Sequence, residues 1–312
     1  MLVKDPPVEI TEGLWMLGTS EYPLYVYHGG GEYTIFEGGI GAVGPILAEQ
    51  FEALGIAGQS VARIVVTHAH PDHVMAVPAF RQMFPQATVV ASEIAAKTLA
   101  VEKAVAFFAK MDQMLAAALI EHGLIREQHR AVPPAENRIA VDRSLHEGDT
   151  LEVGAGKTFQ VFETPGHSDC SLSFFEPVAR ILVVSDATGY YMPRHGAWWP
   201  NYFTDYGKYV ASMERLAGLD AEILCLSHNG AVRGADEVAA YFRGAIEATR
   251  AYHQRILDEF RSGSPVRQIA ETLGAEIHAK MPLMPLDFFQ KNCGLLVKLS
   301  LAHKGIDANK PA

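Results

Sequence analysis

Apolar and polar residues alternate at the start of this chain, recur at helical spacing further on, and then change period several more times. Residues 9-18, 23-28 and 33-37 alternate apolar with polar or aromatic side chains. Gly29-Gly30-Gly31 and Gly38-Gly39 punctuate them, so the pattern predicts a meander of antiparallel strands. Residues 46-54 read as a helix and 63-67 as a buried strand, after which Val74, Val77, Phe80 and Phe84 recur at helical spacing. A short strand at 89-92 precedes a long helical stretch over 93-124, whose Phe107, Phe108, Met111, Met114 and Leu115 form an apolar stripe. That stripe either packs on the core or walls a pocket. Pro133-Pro134 closes the insertion, and strands resume at 149-153, 158-163, 171-175, 181-185 and 222-226. From 235 onward the period is helical. Val238, Tyr241, Phe242 and Ile246 share a face that continues over 256-260, a further helix covers 265-273, and a last one lies near 288-303.

Composition narrows the class. The 312 residues include 49% apolar and 20% charged side chains, the balance of a globular chain with a large core. The organisation expected is one catalytic domain over 1-234 with a helical extension over 235-312. No run reaches the roughly 18 uncharged residues of a membrane span, and the N-terminal segment has no apolar stretch of signal-peptide length, which points to the cytoplasm and to no membrane partner. Cys170, Cys225 and Cys293 lie far apart without CxxC spacing, so neither a disulfide framework nor a zinc knuckle is indicated. A formal charge of -10 argues against nucleic acid as the partner.

The candidate chemistry sits at strand ends. The stretch VVTHAHPDHV places His68, His70, Asp72 and His73 directly behind an apolar strand. Three further strands end in the same manner: Thr164-Pro165-Gly166-His167 follows FQVFE, Ser185-Asp186 follows ILVV, and Ser227-His228 follows EILCL. If those ends share one rim, His68, His70, Asp72, His73, His167, Asp186 and His228 meet in a cleft. Imidazole and carboxylate ligands suit Zn, Fe, Mn or Ni, and seven are too many for one ion, so two metals are implied.

The HxHxDH run, the Pro-Gly-His turn, the strand-end Asp and the His of a Ser-His-Asn-Gly turn together resemble the metallo-β-lactamase superfamily, over about residues 8-234. The resemblance implies an α/β fold, an αββα sandwich of two mixed sheets flanked by helices. It also implies that His68, His70 and His167 hold a first metal, that Asp72, His73 and His228 hold a second, and that Asp186 bridges them.

Departures from the family pattern rank its branches. The best-known β-lactamases of this fold place Cys where Asp186 stands, which points away from antibiotic hydrolysis. Flavodiiron members carry Glu where His70 stands. Phe36-Glu37-Gly38-Gly39-Ile40 replaces the usual Asp-Thr-Gly and is similar to the quinolone signal response branch, a 2-aminobenzoylacetyl-CoA thioesterase. Shared with that branch are a helical insertion, a Gly-His-Ser-Asp turn and an Asp-Phe pair, here Asp287-Phe288.

The expected function is therefore hydrolysis of a small-molecule thioester by a hydroxide bridging two divalent ions, Zn or Fe, with Mn also allowed. A lactonase, a mononuclear-iron persulfide dioxygenase and a regulatory protein with a vestigial site are the alternatives. Asp72 is a candidate proton carrier, and Tyr190 or Tyr191 a candidate donor to the oxyanion. The aromatic segment 188-206 with Trp198, the insertion with Phe107, and the tail with Phe288 and Phe289 are candidates for binding the acyl group. The tail either roofs the site or forms a homodimer interface.

Overall fold

Among the described residues, period-2 alternation becomes strands and the helical period becomes helices, and a helix over Tyr206–Ala217 that the sequence pattern did not mark is added to them. The computed structural model describes residues 1–134 and 136–308. In chain order the elements are β1 (Leu2–Val3), β2 (Val8–Thr11), β3 (Leu14–Gly18), β4 (Pro23–Gly29), β5 (Glu32–Phe36), α1 (Val43–Leu54), β6 (Val61–Val65), α2 (Val77–Met83), β7 (Thr88–Ser92), α3 (Glu93–Leu99) and α4 (Glu102–Glu121). Then follow β8 (Arg143–Leu145), β9 (Thr150–Glu152), β10 (Thr158–Glu163), β11 (Leu172–Glu176), β12 (Ile181–Val183), β13 (Tyr190–Met192), β14 (Ala197–Trp199) and α5 (Tyr206–Ala217). The chain ends with β15 (Ile223–Cys225), β16 (Ala231–Arg233), α6 (Ala235–Arg261), α7 (Val266–Lys280) and α8 (Leu286–His303).

Two compact units result. The first comprises Met1–Glu163, Cys170–Ser185 and Asp220–Val238, and it contains two seven-stranded sheets. One has the order β2-β3-β4-β5-β6-β7-β8, the other β1-β16-β15-β12-β11-β10-β9. Both are mixed: β5 to β8 pair in parallel, as do β12 and β15, while the remaining pairs are antiparallel. Inward side chains of both sheets make one buried cluster, including Met16, Tyr25, Phe36 and Val65 from the first and Phe159, Phe174, Val183 and Ile223 from the second. Phe36 is central, its ring 4.9 Å from Phe159 and 5.5 Å from Phe174. Such aromatic burial is worth roughly 1.5–3 kcal/mol per side chain.

The sheet order has a direct consequence for chemistry. Strand β10 is antiparallel to β11, β11 is antiparallel to β12, and β12 is parallel to β15. Thus β10, β12 and β15 all end at the same sheet edge, and each is followed by one of the ligand-bearing turns.

The second unit comprises Thr164–Asp169, Asp186–Leu219 and residues from Ala239 onward. Its β13–β14 hairpin sets Tyr190 opposite Trp199 and Tyr191 opposite Trp198. The Trp198 ring packs on Tyr191 at 4.7 Å and on Tyr241 of α6 at 5.4 Å. Helix α8 lies along α7 and touches α5, with Tyr202 bonding Ser300 of α8 at 2.7 Å. Among the described residues no helix is long and apolar enough to cross a membrane.

Several element boundaries differ from the sequence pattern for local reasons. The stretch 93-124 breaks into α3 and α4 because Val101, a β-branched residue, takes an extended conformation with φ -89 and ψ 110. Val74 falls outside α2, which starts at Val77, since the preceding turn is spent on positioning Asp72 and His73. The segment 188-206 contains a hairpin rather than only turns. The run 265-273 continues as helix to Lys280. Strands β1, β8 and β16 are two or three residues long, too short for alternation to mark them. On α4, Phe108 and Leu115 enter the core, whereas Phe107 and Met114 stay 57% and 50% exposed.

Candidate metal centre

Strand β6 ends at Val65, and the chain then delivers four donors in a single tight passage. His68 is fully buried and its Nε2 lies 3.1 Å from Nδ1 of His70. Two nitrogens at about 2.0–2.1 Å from one tetrahedral ion stand about 3.3 Å apart, so this spacing suits a shared metal. Pro71, Asp72 and His73 then form a single 3-10 turn. Nε2 of His73 is 3.4 Å from Oδ2 of Asp72, and Nε2 of His228, carried by the turn after β15, is 3.6 Å from the same oxygen. Donor atoms of Asp72, His73 and His228 all lie within 4.8 Å of one another.

What points these nitrogens inward is the use made of the opposite ring atoms. His73 donates through Nδ1 to Glu37 at 2.9 Å, and His228 donates through Nδ1 to the Glu21 carbonyl at 2.9 Å. The Glu37 carboxylate also accepts from Thr67 Oγ1 at 2.9 and 3.0 Å. Thr67 Oγ1, its proton spent on Glu37, lies 3.3 Å from Nδ1 of His68 as an acceptor, with Ser185 Oγ on the same nitrogen at 3.2 Å. Each of these rings is therefore held as the tautomer whose Nε2 lone pair faces the donor cluster. Tyr22 fixes the His228 plane further, packing edge-on at 5.3 Å.

Glu37 itself stands at φ 80, a left-handed conformation that costs a non-glycine residue about 1 kcal/mol or more. Behind it Gly38 is required by close approach, since a Cβ there would sit 2.4 Å from the His73 carbonyl oxygen. The Ala76 and Met75 amides bond back to Gly38 and Gly39, which locks this loop to the ligand turn. From α4, buried Asp112 accepts the Gly41 amide at 2.7 Å. Burial pushes its carboxyl up to about 6, the Gly41 bond opposes this, and the Asp72 charge adds to it.

Donors of the second unit are built in the same way. His167 follows Gly166, whose φ of 127 and a Cβ position 2.3 Å from Tyr209 Cα admit no side chain. His167 Nδ1 donates to the Asn201 carbonyl at 2.7 Å, and its Nε2 lies 3.3 Å from Oδ2 of Asp186. Asn201 Nδ2 donates to that same oxygen at 3.3 Å, and Tyr209 donates its hydroxyl to Asn201 Oδ1 at 3.1 Å. Burial, followed by the charge of Asp186, pushes the Tyr209 phenol well above its ordinary range, so it remains a donor.

The remaining sequence candidates are placed as follows. Tyr190 lies half-buried in β13 and Tyr191 beside it in the Trp198 cluster. Phe107 projects from α4 with its ring 6.3 Å from Phe108. Phe288 is half-buried at the start of α8, while Phe289 is 1% exposed and packed on Trp199 at 5.5 Å and His278 at 5.7 Å. The residues that sequence reading passed over are Glu37, Thr67, Asn201, Tyr209 and Asp112. Glu37 and Thr67 carried a signal, since each is a polar residue at the end of an apolar strand.

The donor set fits divalent metal ions. It combines neutral imidazoles with aspartates, the hard-to-borderline ligands that Zn, Fe and Mn accept, and every histidine but His70 has its Nδ1 tied to an oxygen acceptor. In the bare protein burial works against a charged His73, yet the Asp72 and Glu37 carboxylates outweigh it and hold its pKa well above the ordinary value. An imidazole placed so attracts a cation, whether a proton or a metal.

Comparisons with known proteins agree with this architecture. A metallo-β-lactamase family protein from Thermus thermophilus is similar at TM-score 0.64 and 22% identity over 95% of each chain. A subclass B3 metallo-β-lactamase of Bradyrhizobium japonicum gives TM-score 0.57 and 17% identity, over 84% of this chain and 97% of that one. The stereoselective inverting sec-alkylsulfatase of a Pseudomonas species gives TM-score 0.63 and 14% identity, over 97% of this chain but 51% of its own. At these identities the likeness is one of fold. The family model of the metallo-beta-lactamase superfamily matches residues 23–228, a span that holds the His68–His73 run, His167, Asp186 and His228, and the chain belongs to that superfamily.

Proposed function

We propose that this protein is a dinuclear metal-dependent hydrolase acting on a thioester of the acyl-CoA kind. The observation that carries the reading is the commitment of the Nδ1 atoms of His68, His73, His167 and His228 to oxygen acceptors, which leaves one inward lone pair on each ring. In this reading His68, His70 and His167 hold one ion, Asp72, His73 and His228 the other, and Asp186 serves both. Divalent ions held by these residues would supply a water acidified toward a pKa of about 7 and a Lewis acid for a carbonyl oxygen. The protein's own part is to fix the ligands, to keep Asp72 within reach of a departing group, and to bury the acyl chain among aromatic side chains.

The choice of a thioester rests on likeness to the quinolone signal response branch. The Phe36-Glu37-Gly38-Gly39 loop, the α3 and α4 insertion, the Gly166-His167-Ser168-Asp169 turn and Asp287-Phe288 are its common features. The test is metal analysis of protein purified without chelators, joined to a turnover screen of acyl-CoA thioesters, lactones, β-lactams and alkyl sulfates. Two ions per chain and preferred thioester cleavage are expected. One ion after full reconstitution removes the dinuclear centre, and preferred lactone turnover replaces the substrate class.

A further inference from the structure

Three interactions within the second unit converge on one residue, Asn201, that no motif marks. The Asn201 carbonyl accepts the His167 Nδ1 proton at 2.7 Å, its Nδ2 donates to Asp186 Oδ2 at 3.3 Å, and its Oδ1 accepts the Tyr209 hydroxyl at 3.1 Å. Asn201 is buried and Tyr209 fully so. A side-chain amide has one accepting end and one donating end, and a flipped amide would set its oxygen against a carboxylate. With Asp186 able only to accept, Nδ2 must face it, and Oδ1 is left for a donor. Tyr209 supplies that donor from the opposite side, and Gly166 leaves room for the Tyr209 backbone.

We infer that Asn201, locked in orientation by Tyr209, is the positioning residue that sets the angle of the Asp186 carboxylate while its main chain fixes the His167 ring. This deepens the metallohydrolase reading and rests on it. An acceptor with two oxygens can rotate about its Cβ–Cγ bond; a donor fixed to Oδ2 removes that freedom and leaves the other oxygen directed elsewhere. Partners that orient ligands in this manner typically change metal affinity by about 10–100-fold when lost. The main-chain bond to His167 survives side-chain substitution at Asn201, so only the Asp186 arm is removed by truncation.

The experiment compares Asn201→Ala, Tyr209→Phe and Thr204→Val with the parent. Thr204 donates to the Gly166 carbonyl at 3.1 Å, so its loss loosens the same loop without touching Asp186. Metal-free protein of each is titrated with Co(II), read by its visible absorption, and melted in parallel. Asn201→Ala is expected to bind at least one of two ions about 10-fold or more weaker, Tyr209→Phe to shift in the same direction, and Thr204→Val to lower the melting temperature alone. Parent-like Co(II) binding in both Asn201→Ala and Tyr209→Phe overturns the inference. Weakening in all three variants in proportion to lost stability also overturns it, because general loosening then suffices. A parent that binds no ion instead defeats the metallohydrolase reading on which the inference stands.

Discussion

Nδ1 of His73 lies 2.9 Å from a carboxylate oxygen of Glu37, and this buried pair joins the strand-end loop after β5 to the ligand turn after β6. Through Thr67 the same carboxylate also reaches His68, so a single residue in a left-handed conformation orients two histidines. The cost of the strained backbone is set against two charge-assisted hydrogen bonds, each stronger than a neutral one.

Glu37→Gln tests that arrangement with little change of shape. The amide oxygen can still accept from His73, but the loss of charge makes both histidines poorer donors to a metal. Affinity for divalent ions is expected to fall about 10–100-fold, measured by chelator competition. An unchanged affinity shows that shape alone, not the charge of Glu37, orients the rings.

Gly166→Ala addresses the second unit. With φ at 127 and a Cβ only 2.3 Å from Tyr209 Cα, the methyl has no accommodation by side-chain rotation. A loss of several kcal/mol in chemical unfolding is expected, well beyond the ~1 kcal/mol typical of point substitutions. A near-neutral result means that the His167 turn can shift as a whole.

How much of this was legible in the sequence depends on range. The alternation of β3 to β5 and the apolar run of β6 mark strands, because burial on one or both faces writes itself into adjacent residues, whereas the two-sheet sandwich follows from the resemblance that the ligand motifs carry. Asp72, His73 and His228, gathered within 4.8 Å, are legible by the rule that ligands follow strand ends. Asn201 and Tyr209 are not, since Asn201 sits in the aromatic segment read as binding the acyl group, Tyr209 sits in a helix that the sequence pattern did not mark, and their partners are 15 and 8 residues away in the chain. Asp112 is hidden for a different reason: a single acid within the apolar face of α4 reads as a surface charge until its Gly41 bond is seen. The break at Val101 likewise escapes a helical period, which runs on through a residue or two of extended backbone.

Asp112→Asn probes the buried acid in metal-free protein. Its folded pKa is raised from the usual 3.8 to about 6, so the neutral acid is favoured by the fold. Its favourable contribution is full below about pH 3.8 and is lost as pH rises through about 6, at most about 3 kcal/mol in all. The parent should therefore lose stability relative to the Asn variant between pH 4 and 7. Parallel stability curves across that range show that Asp112 titrates normally.

His253→Phe tests the opposite sign in α6. His253 is 5% exposed, stacks on Tyr206 with ring centroids 3.9 Å apart, and meets His303 edge-on at 5.5 Å. Neither ring nitrogen has a hydrogen-bond partner among the described residues. Burial first, then the nearby His303 and Lys304, lower its pKa to about 4. A depressed folded pKa means that protons prefer the unfolded chain, so this contribution is intact above about 6.5 and declines as pH falls toward 4, by at most about 1.4 kcal/mol per pH unit. Phenylalanine keeps the stack on Tyr206 and removes the titration. The variant is therefore expected to lose less stability than the parent between pH 6.5 and 4, with the two curves converging or crossing. Should both curves fall together, the imidazole is reached by water or paired with it in solution, and acid sensitivity in this helix comes from other groups.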